Sequence, residues 1–316
     1  MVKFKVLVTE PIHEVGLNIL KKETEIIQLP QDSSEEELLK NASMVDAIIT
    51  RGPLKITKEV FKSPRLKVVG LHGIGYDHID VDAAQEMGKI VFNTPEALTV
   101  SVAEMAIALI LSLIRRIVAS DKAVRRDEWG RKYGDLVGTE LMGKKIGIIG
   151  MGRIGEALVK RIQCFDVSIK YFDIIRKPIL EEEFMIEYSS IDEIVEESDI
   201  ITLHIPATPE TRNLIDRERF GKMKPGVCII NTARGSVIEE EALVEALESG
   251  KVAGAALDVF KEEPISTDHP LTKMDNVILT PHIGASTTEA MIRMATQVSE
   301  EVIRALKGEE PSNRIV

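Results

Sequence analysis

Three residues stand where a parallel sheet would place reactive groups. Arg234 follows an apolar run ending Asn231-Thr232-Ala233, Glu263 follows the strand and turn Ala256-Leu257-Asp258-Val259-Phe260-Lys261-Glu262, and His282 follows Ile278-Leu279-Thr280-Pro281. Each lies past the carboxyl end of a predicted strand, the edge where ligands of open α/β sheets bind. Arginine binds a planar carboxylate through two parallel N–H groups. Histidine exchanges protons near neutral pH, and a neighbouring glutamate holds the ring and favours its charged form. Together they suit proton exchange on a small organic acid anchored by the arginine.

Five further histidines compete for that role. His13, His78 and His269 occupy polar, loop-like stretches and read as surface residues. His204, in Leu203-His204-Ile205-Pro206, ends another predicted strand and would line a nucleotide site. His72 belongs to Gly70-Leu71-His72-Gly73-Ile74-Gly75, a glycine-rich loop whose amides could receive a substrate carboxylate. No histidine pair has metal-ligand spacing, and no G-x-S-x-G is present, so neither a metal nor a serine nucleophile is expected.

The redox partner of this chemistry is written in a second motif. The predicted strand Lys144–Ile149 runs directly into Gly150-Met151-Gly152-Arg153-Ile154-Gly155, and a helical pattern continues through Ala157, Leu158 and Ile162. Gly150 permits the tight turn, Gly152 lets the backbone approach a pyrophosphate, and Gly155 lets the helix pack close to the strand. Asp173 closes the next strand. A carboxylate there accepts hydrogen bonds from the adenosine ribose and repels a 2′-phosphate, so the cofactor expected is NAD rather than NADP. Arg176, three residues on, would soften that exclusion.

These residues need a scaffold of alternating strands and helices, and the chain supplies two series of them. Short apolar runs at Lys5–Val8, Glu25–Leu29, Ala47–Thr50, Lys67–Val69 and Ile90–Phe92 form the first. Lys145–Ile149, Ser168–Phe172, Ile200–His204, Val227–Asn231, Gly254–Leu257 and Val277–Thr280 form the second. Amphipathic segments separate them, as in βαβ units, which predicts an α/β protein of two doubly wound parallel-sheet domains. At 316 residues, two domains are also the expectation from length. An almost uniformly apolar helix from about Thr99 to Asp127 separates the series and is expected to be buried between domains or at a subunit interface. A final helix over Thr288–Lys307 would return to the first domain. Acidic runs at Glu35–Glu37, Glu181–Glu183 and Glu239–Glu241 read as helix starts, the first capped by Ser33 or Ser34.

Hydrophobic content of 44% and 29% charged residues describe a folded globular chain. A formal charge of −11 argues against nucleic acid or an anionic membrane as partner. The stretch Val100–Val118 is interrupted by Glu104, Arg115 and Arg116, which argues against a spanning helix. Two cysteines, Cys164 and Cys228, suggest core packing in a reducing compartment. With a strand pattern starting at the N-terminus and no signal-peptide layout before it, a cytoplasmic location is expected.

Taken together, the motifs resemble the D-isomer-specific 2-hydroxyacid dehydrogenase family over nearly the whole chain. The matching segments include Gly73-Ile74-Gly75-Tyr76-Asp77, Asn93-Thr94-Pro95, Ser101-Val102-Ala103-Glu104, the Gly150–Gly155 loop, His204-Ile205-Pro206, Asn231-Thr232-Ala233-Arg234-Gly235, Ala256–Pro264 and Thr280-Pro281-His282-Ile283-Gly284-Ala285. The resemblance implies Arg234 as binder of the substrate carboxylate and carbonyl, His282 as acid/base and Glu263 as its partner. It places Gly150, Gly152, Arg153, Ile154, Gly155, Asp173, His204, Ile205, Pro206, Thr232, Ala233, Asp258 and Ala285 around NAD. Ile74 and Gly75 fall near substrate and nicotinamide, with His72 and Gly73 in the same substrate loop. It also implies a Rossmann NAD domain (99–286) inserted in a flavodoxin-like substrate domain (1–98 with 287–316), and a homodimer or higher oligomer.

Within the family, Trp129-Gly130-Arg131, Gly138-Thr139-Glu140-Leu141 and Pro281–Ala290 are similar to D-3-phosphoglycerate dehydrogenases. Arg51 and Arg131 match basic positions used there near the substrate phosphate, whereas Leu71 stands where those enzymes commonly carry an arginine. The resemblance thus implies oxidation of D-3-phosphoglycerate, in serine biosynthesis, or reduction of its 2-oxo partner. Its alternative is a glyoxylate or hydroxypyruvate reductase acting on unphosphorylated acids. A nucleotide-sensing corepressor on the same fold is a third possibility, disfavoured because the chain carries no additional recruiting tail.

Overall fold

In the computed structural model, which describes residues 3–316, the chain forms two compact units. The first combines the residues up to Leu98 with Ala285–Val316, and the second is Thr99–Gly284.

The first unit is a five-stranded, all-parallel sheet of β1 (Phe4–Val8), β2 (Thr24–Gln28), β3 (Ala47–Thr50), β4 (Val68–Leu71) and β5 (Ile90–Phe92) in the order β2-β1-β3-β4-β5. This is a flavodoxin-like winding. The central strands β3 and β4 are buried throughout, as the continuous apolar runs of a two-sided parallel sheet require. One face is covered by helices Glu14–Glu23 and Thr288–Leu306, so the C-terminal helix returns to this unit and packs Val298 and Val302 among Val6, Val8 and Val68.

The second unit holds seven parallel strands: β6 (Lys145–Ile149), β7 (Ser168–Phe172), β8 (Glu187–Tyr188), β9 (Ile200–Leu203), β10 (Val227–Asn231), β11 (Val252–Leu257) and β12 (Val277–Leu279). Their order, β12-β11-β10-β9-β6-β7-β8, is the doubly wound dinucleotide-binding arrangement, with its switch point between β6 and β9. Fold class and winding are therefore as expected. The two-residue β8 lies outside the expected strands, having no apolar run to announce it.

Two local expectations are corrected. The helix expected over Thr99–Asp127 is two helices, Pro95–Ile114 and Ile117–Arg125. Arg116 between them takes a left-handed conformation (φ 55°), and the Ile114 carbonyl accepts from Thr139 N at 2.9 Å instead of continuing the ladder. Pro95–Ile114 on its own is long and apolar enough to cross a membrane, contrary to the reading of an interrupted stretch. Its Ala103, Ala106, Leu109, Ile110 and Leu113 are instead core residues of the second unit, packed with Ile146, Ile148 and Leu158. The second correction concerns Glu181–Glu183. Pro178 takes the first helical position of Pro178–Phe184, so the run does not open the helix: Glu181 stands in the first turn and Glu182 and Glu183 follow it. The other two acidic runs do begin helices: Ser34 and Glu37 form a reciprocal capping box, and Glu240 opens Glu240–Glu248.

Candidate active site

The glycine loop leaves β6 at the switch point. Gly150 has φ +102°, and a Cβ there would lie 2.4 Å from the His204 carbonyl oxygen, so the turn packs directly on the end of β9. A Cβ at Gly155 would meet the Gly150 carbonyl oxygen at 2.3 Å, which is the close strand–helix approach expected of it. Gly152 has nothing within 4 Å, leaving open space in front of helix Arg153–Ile162. Asp173 Oδ2 accepts from Met151 N at 2.7 Å and Oδ1 from Ile175 N at 2.9 Å, which holds the carboxylate at the rim of the loop.

On the other side of the switch point, two buried polar atoms lack partners. His204 Nε2 pairs with Thr202 Oγ1 at 2.9 Å, but Nδ1 is buried and unsatisfied, and burial pushes the imidazole down to about 4. Thr232 Oγ1 just beyond β10 is likewise unsatisfied. An unmade buried hydrogen bond costs about 1–3 kcal/mol, so such groups beside an open glycine cradle fit a polar ligand. A helix N-terminus for a pyrophosphate, a carboxylate for a ribose and orphaned donors and acceptors along the edge fit a dinucleotide. Among the other expected cofactor residues, Arg153 and Ile154 open the helix. Ile205 packs on the sheet, and the Pro206 carbonyl takes the Thr211 hydroxyl at 2.7 Å.

The reactive set lies on the adjacent strands. Asn231, Leu257 and Leu279 are in register across β10, β11 and β12, so the three loops beyond them start level with one another. Asn231, 1% exposed, shapes the first: its Oδ1 accepts from Ala233 N at 3.0 Å and its Nδ2 donates to the Arg234 carbonyl at 2.9 Å. Arg234 Nη1 donates to the Ala233 carbonyl at 2.7 Å. His282 Nδ1 lies 2.8 Å from Glu263 Oε2, while Glu263 Oε1 accepts from Phe260 N at 3.0 Å. Partial burial alone would push the Glu263 carboxyl up. The hydrogen bonds from His282 and Phe260 N, with the charges of His282 and Arg234, outweigh it and hold the group below the usual carboxylate range. Arg234, Glu263 and His282 are thus brought together, and with Nδ1 committed to Glu263 the imidazole's Nε2 is the nitrogen left for proton exchange.

Asp258, expected beside the cofactor, is tied to the loop that carries His282. It is 1% exposed and accepts from Thr280 Oγ1 (2.6 Å), Ile283 N (2.9 Å) and Gly284 N (2.7 Å), while its carbonyl takes His282 N at 2.9 Å. These bonds fix His282 in its left-handed conformation (φ 52°), so Asp258 positions the acid/base loop. Asn231 and Thr280 are supporting residues that sequence reasoning missed. A polar residue closing an apolar strand is the available signal for both.

In the first unit, the loop after β4 is pinned from β5: Gly73 N donates to Thr94 Oγ1 at 3.0 Å and Asn93 Nδ2 to the Ile74 carbonyl at 2.9 Å. Among the described residues, no hydrogen-bond acceptor lies on the Ile74 and Gly75 amides, the state that the expected nest requires. His72 does not join them. It is 3% exposed, with both ring nitrogens unsatisfied, and burial, with the charge of Arg51, pushes it down to about 4. The expectation of a substrate-facing His72 is therefore corrected: the ring is packed inside and neutral.

The two basic residues expected near a phosphate differ. Arg51, just past β3, gives its amide to Glu10 Oε2 (2.7 Å) and one guanidinium nitrogen to the Pro11 carbonyl (3.0 Å). Arg131, in the second unit, is engaged by Asp135 at 2.5 Å and by Glu128 at 2.7 Å, and both carboxylates hold it above its ordinary range. Within the chain its charge is already matched, contrary to a free phosphate-binding arginine. Among the described residues no cluster of three metal-ligating side chains is found.

Residues 107–284 match the family model described as "D-isomer specific 2-hydroxyacid dehydrogenase, NAD binding domain". The chain is 45% identical to a glyoxylate reductase of Thermofilum pendens, covering 98% of this chain and 94% of that one. It is 44% identical to a D-3-phosphoglycerate dehydrogenase of Methanocaldococcus jannaschii, again over 98% of this chain but only 59% of that longer protein. Among solved structures, D-lactate dehydrogenase from Aquifex aeolicus, complexed with NAD and lactic acid, superposes with a TM-score of 0.88 at 32% identity, covering 98% of this chain and 99% of that one. The glycine cradle, Asp173 at its rim and the Arg234–Glu263–His282 edge therefore belong to a member of the D-isomer-specific 2-hydroxyacid dehydrogenase family, an oxidoreductase that uses NAD.

Proposed function

We propose that the enzyme reduces small unphosphorylated 2-oxo acids with NADH, reversibly: glyoxylate to glycolate and hydroxypyruvate to D-glycerate. Bound NADH supplies the hydride for the carbonyl carbon. Arg234 holds the substrate carboxylate and polarises the carbonyl. Protonated His282 delivers the proton from Nε2 to the carbonyl oxygen, and Glu263 holds the ring and balances its charge. In the reverse direction neutral His282 takes the hydroxyl proton.

The observation that carries the choice of substrate is the state of the residues expected at a phosphate. Arg131 is matched by Glu128 and Asp135, Leu71 replaces a cation, and His72 is buried and neutral. Arg51 alone retains an uncommitted charge, and Glu10 beside it would repel a dianion. That single arginine, with the identity to a phosphoglycerate enzyme, favours a second reading: D-3-phosphoglycerate as substrate. Steady-state NADH oxidation with the three 2-oxo acids decides between them. Hydroxypyruvate or glyoxylate should exceed 3-phosphohydroxypyruvate in kcat/KM by about tenfold or more. A reversed order would establish the second reading, and no turnover with any of them would defeat both.

A dimer is part of the same proposal. Ile117, Val124, Trp129, Tyr133, Val137 and Met142 are all more than half exposed, an apolar surface that a second copy would cover. The preparation used for the kinetics should scatter light as about twice the 35.1 kDa chain mass; a monomer would contradict the pairing.

A further inference from the structure

Arg176 sits three residues past the ribose carboxylate Asp173, where a free guanidinium would welcome the 2′-phosphate of NADP. It is not free. Its Nε and Nη2 grip Glu181 at 2.9 and 2.7 Å, and its guanidinium lies over the Tyr188 ring, 5.6 Å from the centroid. Glu181 is itself held in place: Tyr171, fully buried, donates its hydroxyl to Glu181 Oε1 at 2.7 Å and accepts from Lys177 N at the same distance. The intervening loop is fixed at its other end by Ile175 N on Asp173. The Glu181 side chain is only 15% exposed although it caps an exposed arginine.

We propose that Glu181 is a specificity-determining positioning residue: it sequesters Arg176 and so preserves the preference for NADH over NADPH. Two effects combine. The bidentate pair removes the guanidinium donors that a phosphate would need, and the glutamate's charge adds to that of Asp173 in repelling a third anion. Arginine and the bound carboxylate stay paired at any pH of assay, because the Arg176 contacts and the Tyr171 hydroxyl lower Glu181 to about 2. By sequence position alone Arg176 would weaken NADP exclusion; the clamp reverses its effect.

This clamp rests on the assignment of Asp173 to the adenosine ribose, which Asp173→Ala checks separately through weakened NADH binding. For the clamp itself, Kd for NADPH and NADH is measured by fluorescence titration, with kcat/KM alongside. Glu181→Gln should shift the NADPH:NADH ratio toward NADPH by about tenfold or more, chiefly through Kd and KM, with kcat little changed. Adding Arg176→Ala to Glu181→Gln should return the ratio to its starting value. Arg176→Ala alone, a change at an exposed side chain, should leave NADPH binding where it was. An unchanged ratio in Glu181→Gln, or a shift that persists in the double variant, would overturn the clamp. If Glu181→Gln does not fold, weaker NADPH binding in Arg176→Ala would overturn it equally, since it would mean Arg176 already serves the 2′-phosphate.

Discussion

His282→Ala is expected to lower kcat/KM for hydroxypyruvate by roughly a thousandfold, with NADH affinity almost unchanged. The cause is charge. Hydride transfer to a carbonyl carbon leaves an alkoxide unless a proton arrives, and a positioned general acid contributes about 10²–10⁴ in rate. His282 is held in position to deliver that proton. Glu263 binds Nδ1 at 2.8 Å, and Asp258 fixes the backbone by accepting from His282 N at 2.9 Å through its carbonyl. Alanine at this position keeps the loop bonds to Asp258 and removes only the ring, so the protein should fold normally. Stopped-flow or steady-state NADH oxidation measures the effect. A loss below about tenfold would mean that another group, or water, delivers the proton.

Gly235→Ala should be the most damaging small substitution in the molecule. A Cβ there would lie 1.9 Å from the Phe260 carbonyl carbon, 2.1 Å from its oxygen and 2.4 Å from Lys261 N. All three are backbone atoms, so no rotamer change relieves the clash and the two loops must part. We expect a loss of roughly 3 kcal/mol, at the upper end of typical overpacking, and a fall in Tm of about 10 °C. The damage would also reach function, because Arg234 precedes the glycine and Phe260 N holds Glu263. Separation of these loops should cut kcat/KM by roughly a hundredfold or more in whatever fraction still folds. Gly152→Ala is the contrasting variant: with nothing within 4 Å, it should melt like the parent while binding NADH more weakly. A Gly235→Ala protein with parental Tm and activity would show that the loops do not pack as closely as described.

Much of this site is readable from the chain because its parts are local. The glycine turn, its strand and its helix are contiguous between Lys145 and Ile162, and Gly150 and Gly155 make the tight turn and the close strand–helix approach their spacing implies. The reactive set is legible for a related reason: parallel strands deliver their C-terminal loops to one edge, so strand ends alone locate Arg234, Glu263 and His282. The features that escape depend on burial or on neighbours that no periodicity announces. His72 looks like a loop histidine, and only packing in the first unit makes it a neutral interior ring. The further task of Asp258, holding the turn from Thr280 to Gly284, is visible only once that turn wraps around it. The pairing of Arg131 is partly legible, since Glu128 and Asp135 stand at i−3 and i+4, spacings at which charges meet on a helical turn. Pro178, rather than the acidic run, supplies the first helical position, and Glu181 follows within the first turn.

The most direct test of the central claim is the configuration of the product. Hydroxypyruvate is reduced with NADH to completion, and the glycerate formed is resolved on a chiral column. Membership of the D-isomer-specific family predicts D-glycerate alone, formed in step with NADH oxidation and slowed roughly a thousandfold by His282→Ala. L-glycerate, a racemate, or no NADH-dependent product with any 2-oxo acid would contradict it.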